Sequence, residues 1–181
     1  MSLRAKVTGL FSSARAAADT SPPPGMISNI VIVHDMAEQA EYTIRSLQID
    51  YQRDVQAHQY EVIIVENESP NLMREEFLQS LPVNFHYHLR RNPEPSPGPA
   101  VNFGVSKARG DIISILIDGA RMLTPGIMKN VLLAHQVSDN ALVSVPGYHL
   151  GQELQQEAAA SGYDTRRERE LLASIGWPQN G

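Results

Sequence analysis

Three short polar clusters each follow a run of β-branched and aliphatic residues: His34-Asp35, Glu66-Asn67-Glu68-Ser69 and Asp118-Gly119-Ala120-Arg121. A carboxylate beside an amide, as in Glu66-Asn67, can hydrogen-bond the edge of a nucleobase or a sugar. A carboxylate directly after a buried strand, as Asp118 is after Ile112-Ile-Ser-Ile-Leu-Ile117, suits a ribose or a metal-bound diphosphate. Arg121 adds a guanidinium, which grips phosphate oxygens two at a time. Asn102, in Gly98-Pro-Ala-Val-Asn-Phe-Gly104, opens a helix, and helix amino termini attract anions. Each residue also has a plainer use: Asp35 as a helix cap, Asn102 as a polar first-turn residue, Arg121 as a surface ion-pair partner. Only their gathering at one place would make a site, and that depends on the elements between them.

Strand-like and helix-like patterns alternate along the chain. Ile30–Val33 reads as a short buried strand, and Asp35 with Glu38 forms a capping box for a helix with Ala40, Ile44 and Leu47 along one face. Tyr60–Val65 is the second strand. Ser69-Pro70 starts another helix, with proline at its tolerated first position, running to about Leu81. Phe85, Tyr87 and Leu89 alternate with His86, His88 and Arg90, the pattern of a strand near a sheet edge. A proline-rich loop, Arg91 to Pro99, leads to a helix over Ala100–Arg109 that stops at Gly110. Ile112–Ile117 is apolar enough for a fully buried central strand. A helix from Pro125 to about Gln136 and a strand over Ala141–Val145 complete the series.

Such alternation implies right-handed crossovers and an α/β three-layer sandwich, its mainly parallel central sheet flanked by helices. The polar clusters then fall along the carboxyl edge, where open α/β sheets bind ligands. Beyond Pro146 two helical pieces follow, near Gln152–Ala160 and Thr165–Ile175, the second with a capping box of Thr165 and Glu168. At the other end, Leu3–Ala18 is a weakly amphipathic helix and Thr20–Gly25 a proline-rich linker. The organisation expected is a helix and linker over 1–25, a core over 26–150 and a helical segment over 151–181 that begins an acceptor part.

From about Ile27 to Pro146 the chain resembles the family-two glycosyltransferases of the GT-A fold. The resemblance is carried by Val-Glu66-Asn67-Glu-Ser69, Pro-Ala-Val-Asn102-Phe-Gly104-Val, Ala108-Arg-Gly-Asp111 and Leu-Ile-Asp118-Gly-Ala120-Arg121-Met-Leu-Thr-Pro-Gly, in that order. It implies a GT-A-like sandwich that binds a nucleotide-diphosphate sugar and passes the sugar to an acceptor hydroxyl with inversion. His34, Asp35, Glu66 and Asn67 would hold base and ribose, and Asp118, the metal ligand of the set, would lie at the ribose-diphosphate end. It also implies a divalent cation, Mn2+ or Mg2+. One departure weakens that: the second acid of the family's Asp-x-Asp falls on Ala120, and a methyl group cannot coordinate a cation. Arg121, with Arg90 and Arg91, is the available substitute for the metal's charge. The family's base lies beyond the matched part, and spacing justifies none of Glu153, Glu157 and Asp164 for that role. A glycosyltransferase-like binding or scaffold domain without turnover is therefore the alternative.

The bulk numbers narrow the field further. The 181 residues allow one domain with a real core. A net charge of −5 argues against broad nucleic-acid binding. Cysteine is absent, which excludes disulfides and thiolate zinc sites and fits a cytoplasmic setting. No apolar run approaches the roughly 20 residues that span a bilayer, leaving peripheral membrane contact through Arg4, Lys6 and Arg15. His86 and His88 share a strand face but lack an identifiable third zinc ligand. His149, just after the last expected strand, is a weaker sugar-side candidate.

Overall fold

The computed structural model describes residues 23–117, 120–138, 140–152 and 154–179. The expected helix over Leu3–Ala18, together with Asp118 and Glu153, lies outside the described residues.

Four strands form one all-parallel sheet: β1 (Ile27–Val33), β2 (Tyr60–Asn67), β3 (Phe85–Arg90) and β4 (Ile112–Ile117), in the order β3-β2-β1-β4. The helices are α1 (Ala37–Ser46), α2 (Glu75–Gln79), α3 (Gly98–Lys107), α4 (Ile127–Val137), α5 (Gln155–Ala160) and α6 (Thr165–Ser174). Because strand side chains alternate in direction, each central strand feeds two cores. Val31, Val33, Val62, Ile64 and Leu116 pack on one face against Ala40, Ile44 and Leu47 of α1, Phe77 of α2 and Met128 of α4. Ile30, Ile32, Ile63 and Val65 pack on the other face against Ala100, Val101 and Phe103 of α3. This is the α/β three-layer arrangement expected.

The sheet is longer and the helices are placed differently than the sequence suggests. β1 begins at Ile27 because its polar start is satisfied from β2: Ser28 Oγ donates to Glu61 Oε1 at 2.7 Å, and Asn29 Nδ2 to the Glu61 carbonyl at 3.2 Å. β2 runs on through Glu66 and Asn67. Asp35 does not cap α1. It sits at φ 51° and its Oδ1 accepts from Asn71 Nδ2 at 2.9 Å, while Met36 holds the N-cap position without a side-chain bond. Ser69-Pro70 starts no helix. Glu66 accepts the Met73 N–H at 3.0 Å and pins the chain in a loop, so α2 waits until Glu75. At α6 the cap is Asp164, whose Oδ1 accepts from Arg167 N at 2.9 Å, in place of Thr165.

β4 is the second correction. It forms an edge of the sheet among the described residues, and only Ile112 and Leu116 are buried; Ile113, Ile115 and Ile117 are 40–48% exposed. α3 packs over β1 and β2 on that face, where its Gly104 comes so close to Ile30 that a Cβ would collide with it. The expected strand Ala141–Val145 is irregular, with Leu142 almost fully exposed. Nothing in it therefore extends the sheet past β4. No described helix is long and apolar enough to cross a membrane.

Candidate functional site

A cleft of about 430 Å³ opens at the carboxyl ends of the strands, on the α3 side of the sheet. Its floor is Ile32 and His34 from β1 and its following turn, Asn67 from the end of β2, and Ile117 from the end of β4. Its wall is a strap of alternating prolines: Pro93, Glu94, Pro95, Ser96 and Pro97. Proline fixes its own φ and restricts the residue before it, so this wall is stiff for a loop.

Two members of the expected constellation meet here, His34 and Asn67. Ile117 also lines the cleft, and Asp118 follows it directly in the chain. Glu66 does not join them. Adjacent strand residues point to opposite faces, and Glu66 turns into the α1 side, fully buried, where it accepts from Tyr87 Oη at 2.5 Å and Met73 N at 3.0 Å. Burial raises the Glu66 carboxyl above the ordinary carboxylate range, and these two bonds offset that only in part. Burial, then the bond to Glu66, push the Tyr87 hydroxyl well above its usual value. Asp35 is exposed and tied to Asn71 outside the cleft lining. Asn102 is exposed on α3, also outside that lining. Arg121 is exposed; its N–H donates to Thr43 Oγ1 at 2.8 Å, and its guanidinium lies beside Gly147.

The strap's contacts join residues that no local pattern connects. Arg90 Nη2 donates to Glu94 Oε2 at 3.1 Å, and its guanidinium lies 5.9 Å from the centre of the Phe103 ring. Arg91 Nη1 donates to Glu68 Oε1 at 3.1 Å, and Asn92 N donates to Glu68 Oε2 at 3.2 Å. Beneath the strap two polar atoms are shut away from solvent with no hydrogen-bond partner, Asn67 Oδ1 and Arg90 Nη1. Each such atom costs about 1–3 kcal/mol in a folded protein unless something meets it.

A cation has no evident seat among the described residues, where no three His, Cys, Asp or Glu side chains are gathered to hold one. Ala120 is exposed and adds no ligand. His86 approaches Glu61 Oε2 at 3.6 Å, and His88 packs edge-on against Phe103. Burial, followed by the nearby Lys107, lowers the His88 pKa. His149 packs on Tyr163 with ring centres 4.7 Å apart. A larger groove of about 600 Å³ runs between α1 and α6, but its charges are largely spent on one another: Arg74 on Glu41 at 2.6 Å and Arg169 on Glu38 at 2.8 Å.

No protein-family model matches the chain, and no curated protein matches it. Among solved structures it is similar to the crystal structure of S. aureus TarS 1-349, with a TM-score of 0.55 and 16% identity over 70% of this chain and 40% of that one. A second crystal structure of S. aureus TarS gives a TM-score of 0.53 and 18% identity over 62% of this chain and 20% of that one. The shared feature is the α/β arrangement, an all-parallel central sheet flanked by helices in a GT-A-like sandwich. At such identities the likeness extends to the fold alone, and the chain spans less than half the length of either structure.

Proposed function

We propose that the cleft binds a nucleotide-diphosphate sugar and that the chain belongs to a glycosyltransferase acting on an acceptor hydroxyl. One observation carries this: His34, Asn67 and the residue preceding Asp118, from three separate strand ends, line one cleft at the carboxyl edge of a glycosyltransferase-like fold. Asn67 would meet the base or ribose, and Asp118 the ribose-diphosphate end. The acceptor oxygen would bond to the anomeric carbon as the bond to the diphosphate breaks, and the hydroxyl proton would pass to an acceptor-side base. Arg90, Arg91 and Arg121 would answer the diphosphate charge, alone or beside a divalent cation.

The alternative, binding without transfer, is favoured by the lining itself. Its one described carboxylate is Glu94, already bonded to Arg90. A thermal-shift panel of uridine, guanosine and thymidine diphosphate sugars, with and without Mn2+, tests both. At least one sugar nucleotide should raise the melting temperature, and Asp118→Asn should abolish that rise. A shift with no hydrolysis or transfer would select the binding-only role, and no shift from any member would refute both.

A further inference from the structure

The strap over the cleft is fastened by carboxylates, and the groups it fastens are the ones an anionic ligand would want. Arg90 and Arg91 are consecutive, at the end of β3, and each holds one glutamate: Glu94 from the strap itself and Glu68 from the loop after β2. Glu68 also accepts the N–H of Asn92, the residue at φ 51° from which the strap departs. Each pair has one well-exposed member, Arg91 at 73% and Glu94 at 54%, against Glu68 at 37% and Arg90 at 21%, and pairs open to water on one side are held weakly and screened by salt.

Beneath this fastening lies the unmet pair. Asn67 and Arg90 are register partners across β2 and β3, so their side chains leave the same face of the sheet about 4.8 Å apart along the hydrogen-bonding direction. Asn67 is 5% exposed and lines the cleft, yet its Oδ1 accepts nothing; Arg90 Nη1 donates to nothing. An acceptor and a donor on register partners, both dry and unpaired, offer one ligand two hydrogen bonds at the strap's side of the cleft. Gln52 Oε1 and His149 Nε2 are also unmet, but neither lines this cleft.

We infer that Glu68 and Glu94 are built-in competitors of the ligand's diphosphate, latching the 91–97 strap over the cleft until phosphate oxygens take Arg91 and Arg90 from them. This rests on the nucleotide-diphosphate site proposed above and adds its regulation. Binding exchanges two carboxylate partners for phosphate, frees the strap, and lets the ligand reach Asn67 Oδ1 and Arg90 Nη1. The latch keeps neutral molecules that enter the cleft from engaging the two arginines, for which they cannot compete.

The test measures uridine diphosphate, guanosine diphosphate and the two parent nucleosides by titration calorimetry against the full chain and its Glu68→Gln/Glu94→Gln variant. The variant should bind the diphosphates about 3–10-fold more tightly, as expected from removing one or two weak surface pairs. Its gain for the nucleosides should be smaller, and Arg90→Gln/Arg91→Gln should bind the diphosphates at least 10-fold more weakly. Equal or weaker diphosphate binding by the glutamine variant would overturn the latch and leave the site standing. No binding of either diphosphate to any of the proteins would overturn the latch and the site together. Hydrogen exchange on the unaltered chain gives an independent reading: the Asn92 amide should lose protection when a bound diphosphate displaces Glu68, and undiminished protection in the bound state would refute the exchange of partners.

Discussion

Replacing Glu61 by alanine should be among the most damaging single changes available in the sheet. Its carboxylate is 1% exposed and accepts from Ser28 Oγ at 2.7 Å, Arg109 N at 2.8 Å and Arg109 Nε at 2.8 Å, with Arg109 Nη2 at 2.7 Å. Ser28 Oγ in turn accepts the Gly110 N–H at 2.9 Å. One side chain on β2 thereby fixes the start of β1 and the turn that feeds β4. Removing one partner of a buried ion pair typically costs about 3–5 kcal/mol. The Arg109 side chain is 55% exposed and can rehydrate, which lowers the expected loss to roughly 2–4 kcal/mol. For a domain of this size that is a fall in melting temperature of roughly 4–16 °C. Urea titrations at constant m would measure it, and a loss below about 1 kcal/mol would refute the clamp. The pH dependence supplies a second check. Burial would raise the Glu61 pKa, but the bonds from Ser28 and Arg109 outweigh it and hold the carboxylate below its ordinary value. Its contribution is therefore fully present above the unfolded-state value of about 4.3 and is lost as the pH falls through the lower folded value. The gap between the two proteins should stay flat above that range and close below it.

Three further changes probe other parts of the molecule. Tyr87→Phe removes the bond to Glu66, whose folded pKa is already raised, so the loss of about 1–2 kcal/mol should be greater at neutral pH than in acid, where Glu66 is protonated; equal losses at both would argue against it. Gly104→Ala drives a methyl into Ile30 and should cost about 1–3 kcal/mol by thermal melting, with a neutral result contradicting the close approach of α3. Trp177→Ala should cost about 2–3 kcal/mol and raise hydrogen exchange in α6, since the indole packs on Tyr42 and Tyr51 and its N–H donates to the Tyr51 hydroxyl at 3.3 Å.

Much of the sheet was legible because a strand buried on both faces writes itself as an uninterrupted apolar run. Ile63 to Val65 and Ile30 to Val33 are such runs, and Ala40, Ile44 and Leu47 fall on one buried helix face as their spacing requires. The limits of the elements were hidden where long-range bonds decide them. Ser28 and Asn29 look like a loop until Glu61 satisfies them, and Ser69-Pro70 looks like a helix start until Glu66 takes the Met73 N–H. β4 reads as central because composition records apolar surface, whereas α3 covers the neighbouring strands and leaves three of its isoleucines exposed. In the site, the sequence reads as a strand ending at Val65, and only because β2 runs on through Glu66 and Asn67 does period two send the two side chains to opposite faces. The strap was legible as a proline-rich loop, but its fastening was not, since nothing local pairs Glu68 with Arg91, 23 positions on.

The parallel register has a consequence for synthesis. Ile27 of β1 pairs on one side with Tyr60 and on the other with Ile112, about 85 residues on. At roughly 5–20 residues per second, a ribosome delivers that second neighbour about 4–17 seconds after β1 itself. Through that interval one flank of a strand that ends up buried along its whole length waits with its amides and carbonyls unanswered, and an organism making this protein must shelter it or make it slowly enough that few copies meet.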